Sequence, residues 1–134
     1  RAWRPSQCSL PSTVTGIRLV LEESLDNCIF CKIVAGSIPA KVVYEDDLVI
    51  AFHDIAPKAD THLLVIPKEH VVNLDDLRAE HGNLMQHLLF SIPKIAQQQQ
   101  LDGYRTITNT GEGGGQEVFH MHFHILAGAK LPGF

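Results

Sequence analysis

The sequence has little that would indicate a membrane protein, a disulfide scaffold or a nucleic-acid surface. No apolar run reaches the ~18 residues of a membrane-spanning helix, and the longest, near residues 17–21, is interrupted by Arg18. The 11 basic side chains are outnumbered by 15 acidic ones, giving a formal net charge of −4, which argues against binding to a nucleic acid polymer. Three cysteines, Cys8, Cys28 and Cys31, favour reduced thiols or a metal site over a disulfide framework. We therefore predict a cytoplasmic protein.

The first 24 residues differ in composition from the rest. They have no acidic residue before Glu22 and are rich in Ser, Thr, Pro and Arg. We predict that residues 1–24 are a leader or disordered extension, with an organellar location if they are a genuine transit peptide. Residues 25–134 are predicted to form one domain. The whole chain is 45% apolar, which is typical of a globular protein.

Apolar spacing predicts an α+β domain. Two helices are expected: a short one over residues 29–35 that ends at Gly36, and a long amphipathic one over 75–100. Pro93 predicts a kink or break in the long helix, and Gly103 is expected to stop it. Alternating or continuous apolar runs predict five mostly antiparallel strands, which cover residues 41–44, 48–53, 62–67, 104–108 and 118–126.

Histidine is the over-represented residue, and three of the eight histidines alternate near the C-terminus at His120, His122 and His124. Alternate residues of a strand share a face, so these side chains are predicted to stand on one face at roughly 7 Å intervals. Chance produces such a triplet in only about 3% of chains with this composition. A merely solvated polar face and a metal site built from this strand alone remain the alternatives.

A glycine-rich loop, residues 109–116, directly precedes the histidines. Glycine lets backbone N–H groups turn toward an anion. A neutral imidazole is a competent nucleophile toward phosphorus. The loop and the histidines together therefore predict a phosphate-binding loop beside a nucleophile.

Two stretches resemble the histidine-triad (HIT) superfamily. GGGQEVFHMHFHIL is similar to its signature, in which three histidines alternate with apolar residues, and CIFCKIVAGSIPAKVVYEDDLVIAFHDIAPKADTHLLVIPKEH is similar to the N-terminal half of its nucleotide-binding, phosphoramidase branch. Glu117, after the Gly-Gln pair, resembles bacterial members. The resemblance implies a HIT-like fold, with a five-stranded antiparallel sheet, one long helix and a short N-terminal helix, whose sheet continues across a homodimer.

The resemblance also implies hydrolysis of purine nucleoside phosphoramidates, with release of the nucleoside monophosphate through a nucleotidyl-histidine intermediate and without an organic cofactor. His122 would be the nucleophile, His124 would contact the phosphate or the leaving group, and His120 and His62 would complete the catalytic set. The implied nucleotide-binding residues are Ile29, Phe30, Ile38, Phe52, His53, Asp54, Ile55, Asn109, Gly115, Gln116 and Val118.

A structural zinc site is a further expectation. Cys28 and Cys31 have the C-x-x-C spacing of half a zinc site, and the resemblance implies His62 and His120 as the other two ligands. Two buried reduced thiols are the alternative. For the whole protein, the alternatives are a dinucleoside polyphosphate hydrolase and a nucleotide-binding or interaction module with negligible turnover.

Overall fold

The computed structural model describes residues 27–133, so the predicted leader at 1–24 lies outside the described residues. None of the helices in this part of the chain is long and apolar enough to cross a membrane. Its helices and strands are α1 (Ile29–Ala35), β1 (Val42–Glu45), β2 (Val49–His53), β3 (Thr61–Pro67), α2 (Gly82–Gln98), β4 (Arg105–Ile107) and β5 (Phe123–Ala127).

The five strands form one antiparallel sheet in the order β1-β2-β3-β5-β4. The α+β class and the five-stranded sheet are therefore confirmed. The short helix α1 is also confirmed: Cys28 caps its start by accepting a hydrogen bond from the Cys31 N–H at 3.3 Å. Gly36 ends it with a φ of 82°, a left-handed conformation that favours glycine.

Each face of the sheet carries its own apolar core. The residues of β3 alternate between them: Leu63 and Val65 pack toward α2, and Leu64 and Ile66 pack toward α1. Met121, Phe123 and Ile125 join the core on the α2 side. The histidines that alternate with them therefore lie on the α1 side, and this places them beside the first turn of α1.

The long helix starts later than predicted and is not broken. The expected start at residue 75 is wrong, because Asn73 caps a separate 3₁₀ turn and α2 begins only at Gly82. Of the kink or break expected at Pro93, the break does not occur, since α2 continues through it. Leu89, whose carbonyl loses its helical partner to the proline ring, lies on the exposed side of the helix.

Gly103 does not end α2. The helix ends at Gln98, and the left-handed residue that follows is Gln100, with a φ of 59°. The Leu101 N–H then bonds to the Ala96 carbonyl at 2.9 Å, and the Leu101 side chain packs against the core. Burial of Leu101 after a capping turn therefore decides the end of the helix.

β5 is shorter than the predicted strand over residues 118–126 and begins at Phe123. The residues before it bond elsewhere: the Met121 N–H donates to the Val71 carbonyl at 2.6 Å, and the His122 carbonyl accepts from Thr108 Oγ1 at 2.8 Å. These contacts replace a regular ladder, although the alternation of side chains continues through them.

Asp46 connects the β1–β2 turn to α2. Its Oδ1 accepts from the N–H groups of Leu48 and Val49 at 2.8 and 2.9 Å. Its Oδ2 accepts from Tyr44 Oη at 2.7 Å and lies 2.7 Å from His87 Nε2 on α2. Burial alone would raise the pKa of Asp46, but these hydrogen bonds outweigh it and lower that pKa to about 2.

This cluster predicts a loss of stability in acid that depends on Asp46. Because its folded pKa of about 2 lies below the unfolded value of about 3.9, its contribution is present above pH ~4 and is lost as the pH falls toward 2. In urea unfolding, Asp46→Asn should be less stable than the wild type at pH 6, and the difference should shrink by pH 3. Asp47→Asn, in the exposed neighbour, is the control. An equal deficit at both pH values would contradict the prediction.

Candidate active site

His122 is held with one ring nitrogen unprotonated. Its Nδ1 lies 2.8 Å from the backbone carbonyl of His120, which can only accept, so Nδ1 carries the proton and Nε2 keeps a free lone pair. The side chain is buried, and the edge of Phe30 packs against it with ring centroids 5.1 Å apart. Burial lowers the pKa of His122, the hydrogen bond to the His120 carbonyl opposes this, and the nearby His120 ring lowers it further. The arrangement favours a neutral imidazole with a basic Nε2.

The rings of His62 and His124 form a pair that is oriented by a backbone N–H group. His62 Nδ1 accepts from the Lys58 N–H at 3.0 Å, so in the neutral ring the proton is on Nε2. Nε2 lies 2.8 Å from His124 Nδ1 and donates to it, which puts the proton of His124 on its own Nε2. The Asp54 Oδ2 stands 3.4 Å from the same His62 Nε2. One backbone contact therefore sets the tautomers of both rings.

The two rings are neutral near pH 7. Burial, followed by the neighbouring His122 and His62, lowers the pKa of His124 to about 4. Burial also lowers the pKa of His62, against the raising effect of the Asp54 carboxylate. With His124 Nε2 protonated and His122 Nε2 bare, and with the two rings packed at 5.1 Å, adjacent side chains offer one donor and one nucleophile.

A separate cluster of cysteines and histidines could hold a metal. Cys28 and Cys31, the buried His120 and His70 bring four ligand atoms within 4.8 Å of one another. His120 Nδ1 lies 3.4 and 3.5 Å from the two sulfurs, and His70 Nδ1 lies 3.2 Å from Cys31 Sγ. His120 Nε2 donates to the Pro67 carbonyl at 2.8 Å, which leaves Nδ1 free as a ligand.

The expectation that His62 belongs to this metal set is wrong. His62 is paired with His124 and Asp54 and is not among the four clustered ligands, where His70 takes its place. His70 lies three residues after β3, and only the turn of the chain beyond Pro67 brings it back to the cysteines. The histidines of the triplet also do not converge on a common metal, because His120 faces the sulfurs while His124 faces His62.

An apolar cavity of about 740 Å³ lies beside the histidines. Asp54, at the end of β2, and Lys41 supply its charged side chains, and Ile55, at its rim, is exposed. Eight of the predicted nucleotide-binding residues line it: Ile29, Phe30, Ile38, Phe52, His53, Asp54, Ile55 and Val118. Ile33, Pro39, Ala40, Lys41 and Leu64 complete the lining and were missed by the sequence analysis, although the i, i+4 spacing of Ile29 and Ile33 on one helix could have identified Ile33.

The glycine-rich loop lies outside the lining of the apolar cavity. Asn109, Gly115 and Gln116, which were predicted to contact the nucleotide, are not among the lining residues. The Gln116 side chain is buried and fully bonded: Oε1 accepts from Asn73 Nδ2 and the Gly111 N–H, both at 2.9 Å, and Nε2 donates to the carbonyls of Val72 and Val118. Because an amide has two donors and two strong acceptor positions, this side chain has none left for a phosphate. Gln116 instead ties the loop to the segment after β3.

The comparison with known proteins agrees with this geometry. The family described as "Scavenger mRNA decapping enzyme C-term binding" matches residues 27–133. A protein of Escherichia coli (strain K12) named "Purine nucleoside phosphoramidase" is 45% identical over 108 residues, which cover 79% of this chain and 91% of that protein. The chain belongs to the HIT superfamily.

Other HIT proteins show the same similarity in sequence and in fold. An uncharacterised HIT-like protein of Synechococcus elongatus is 51% identical over 79% of this chain and 94% of its own length. The crystal structure of a HIT family hydrolase from Legionella pneumophila aligns with a TM-score of 0.76 and 46% identity, over 79% of this chain and 96% of that one. A histidine triad protein from Clostridium difficile aligns with a TM-score of 0.76 and 49% identity, over 81% and 96%. These findings support a hydrolase.

Proposed function

We propose that this HIT protein hydrolyses the P–N bond of purine nucleoside phosphoramidates and releases the nucleoside monophosphate. The observation that carries the proposal is the free Nε2 of His122, a buried imidazole whose proton is held on Nδ1 by the His120 carbonyl at 2.8 Å. The name of the Escherichia coli relative supports the choice of substrate.

The reaction proceeds in two displacements. His122 Nε2 attacks phosphorus, an N–P bond to the ring forms, and the P–N bond to the amine breaks as the departing nitrogen takes a proton from solvent. Water then cleaves the ring–phosphorus bond and returns one proton to solvent. One water molecule is consumed, with its hydrogen on the amine and its hydroxyl on phosphorus. The ring of the intermediate has its proton on Nδ1 and phosphorus on Nε2, so it carries a positive charge.

The other histidines act on the phosphate. His124 Nε2–H donates to a phosphate oxygen as negative charge shifts there during attack, which helps only because the donor is already oriented. His62 provides that orientation through its 2.8 Å bond to His124 Nδ1. The nucleoside lies in the apolar cavity with its base between Phe30 and the aliphatic residues, and the Asp54 carboxylate accepts from the ribose hydroxyls.

Replacement of His122 by Ala tests this assignment. Turnover of adenosine 5′-phosphoramidate should fall by several orders of magnitude, as when a nucleophile is deleted, while AMP binding measured by calorimetry should largely survive. His81→Gln is the control and should keep wild-type turnover, because His81 pairs with Glu69 and does not line the cavity.

A rapid-quench experiment with labelled substrate should find nucleotide bound to His122. Label on another residue, or His122→Ala turnover near the wild-type rate, would contradict the mechanism. Faster cleavage of a dinucleoside polyphosphate than of the phosphoramidate would favour the other hydrolase activity, and no turnover of either would favour a binding module.

The cysteine–histidine cluster is proposed to hold a structural zinc ion, bound by Cys28, Cys31, His70 and His120. A tetrahedral zinc with bonds of ~2.3 Å to sulfur and ~2.0 Å to nitrogen has S···N edges of roughly 3.5 Å. The observed S···N distances of 3.2, 3.4 and 3.5 Å match these edges. The Cys31 hydrogen bond and the two histidines lower the pKa of the Cys28 thiol, which favours the thiolate that zinc requires.

Metal analysis checks this proposal. The purified protein should contain about one zinc per chain, His70→Ala should contain much less, and chelation should lower the Tm of the wild type but not of His70→Ala. The same measurements on His62→Ala should show a full complement of zinc, because His62 lies outside the cluster. Far less than one zinc per wild-type chain would defeat the proposal.

A homodimer is proposed on the exposed side of α2. Leu89, Phe90 and Pro93 form an apolar stripe there, and β4 lies at the edge of the sheet, where an exposed strand can pair with a second copy. The cytoplasmic location stays a prediction.

Sedimentation tests the homodimer. At micromolar concentration the particle should have twice the 14.8 kDa chain mass, and Phe90→Glu should shift it toward monomer because a charge would be buried in the interface. Gln97→Glu, at an exposed polar position of the same helix, adds the same charge as a control. A wild-type monomer would count decisively against the proposal.

A further inference from the structure

Asp54 stands between the nucleoside cavity and the catalytic histidines. It directly follows β2, it lines the cavity, and its side chain is only 19% exposed. Its Oδ1 accepts from the Ala56 N–H at 2.8 Å, which fixes the carboxylate in one orientation. Its Oδ2 is thereby held 3.4 Å from His62 Nε2. Hydrogen bonding to ribose alone would not require this oxygen to lie against His62.

The contact is electrostatic, because the proton on His62 Nε2 is directed at the nearer His124 Nδ1, at 2.8 Å. The attraction between the carboxylate and this N–H limits rotation of the His62 ring and keeps it in the orientation that bonds to His124. The three side chains bring their polar atoms within 4.8 Å of one another. A continuous line of polar contacts therefore runs from Asp54 through His62 to His124.

The charge of Asp54 acts on both rings of the His62–His124 pair. At His62 and at His124 burial lowers the pKa, and at each of them the Asp54 carboxylate raises it. Lys58, the nearby cation, acts in the opposite direction at His62 and His124. The His122 ring packs against His124 with ring centroids 5.1 Å apart, so the same carboxylate also stabilises the positively charged ring of the nucleotidyl-histidine adduct on His122, relative to the neutral ring before attack.

We propose that Asp54 is a positioning residue for the chemical step, in addition to any contact with ribose: its Oδ2 orients the His62–His124 pair, and its charge stabilises the cationic adduct on His122. This inference rests on the proposed phosphoramidase reaction. The two roles of the Asp54 carboxylate can be distinguished, because a contact with ribose affects substrate binding and the contact with His62 affects the rate of the chemical step.

The two effects separate when the ribose hydroxyls are removed from the substrate. Steady-state kcat and KM are measured with adenosine 5′-phosphoramidate and with its 2′,3′-dideoxy analogue, for the wild type, Asp54→Asn and the charge control Asp47→Asn. An asparagine still accepts from the Ala56 N–H, so the turn is retained, and the Tm of each variant verifies the fold.

On the dideoxy substrate, Asp54→Asn should keep the wild-type KM while its kcat falls roughly 10- to 100-fold; on the ribose substrate, KM should rise as well. Asp47→Asn should match the wild type on both. Equal kcat for the wild type and Asp54→Asn on the dideoxy substrate would overturn the inference and leave the proposed function standing. Absence of wild-type turnover on both substrates would instead overturn the proposed function.

A double-mutant cycle with His62→Gln gives an independent measurement. If Asp54 acts through His62, part of the kcat loss of Asp54→Asn should disappear in the His62→Gln background, because the ring that it orients is already gone. Full additivity of the two losses would overturn the positioning role. Single-turnover rates with labelled substrate should show the loss in formation of the adduct, which a general loss of folding would not confine to one step.

Discussion

The alternation of side chains from His120 to Ile125 is the constraint on which the site depends. Because successive residues point to opposite faces, Met121, Phe123 and Ile125 enter the core under α2, and the intervening histidines must lie on the side of α1. A shift of the pairing by one residue would place three apolar side chains in the site and three histidines in the core. The alternation persists through residues 120–122, which are outside the regular strand, because their backbone groups bond to Val71 and Thr108.

Protonation in the site is determined by the backbone. The His120 carbonyl fixes the proton of His122, the Pro67 carbonyl fixes that of His120, and the Lys58 N–H fixes that of His62 and, through it, His124. Backbone groups cannot titrate in the working range of pH, so the tautomers follow from the fold itself. Neutral rings with fixed tautomers can serve as donor, nucleophile or ligand without a prior proton transfer.

Local patterns predicted what local physics determines. The short helix with its left-handed Gly36 and the five strands follow from periodicity and from motifs within a few residues, whereas the residues of the cavity wall were implied by the resemblance to the HIT superfamily. What depends on the path of the chain between elements was not predictable in this way. His70, which completes the cysteine–histidine cluster, lies in the turn beyond β3. The Gln116 side chain is bonded to Asn73 and Val72 across 43 and 44 residues, and the end of α2 follows from the packing of Leu101 against the core.

His120 separates the cysteine–histidine cluster from His122 and His124, although the two groups of side chains lie close together. Its ring turns toward Cys28 and Cys31, and its carbonyl turns toward His122 Nδ1. An ion held by that ring would therefore be separated from the phosphate by the His120 backbone and by the Phe30 side chain, which packs against both His120 and His122. Its effect on the reaction would be exerted through the position of the His120 carbonyl and of the first turn of α1. Both His122 and the wall of the apolar cavity depend on that turn, because Phe30 packs against His122 and because Ile29 and Phe30, which line the cavity, lie between the two cysteines.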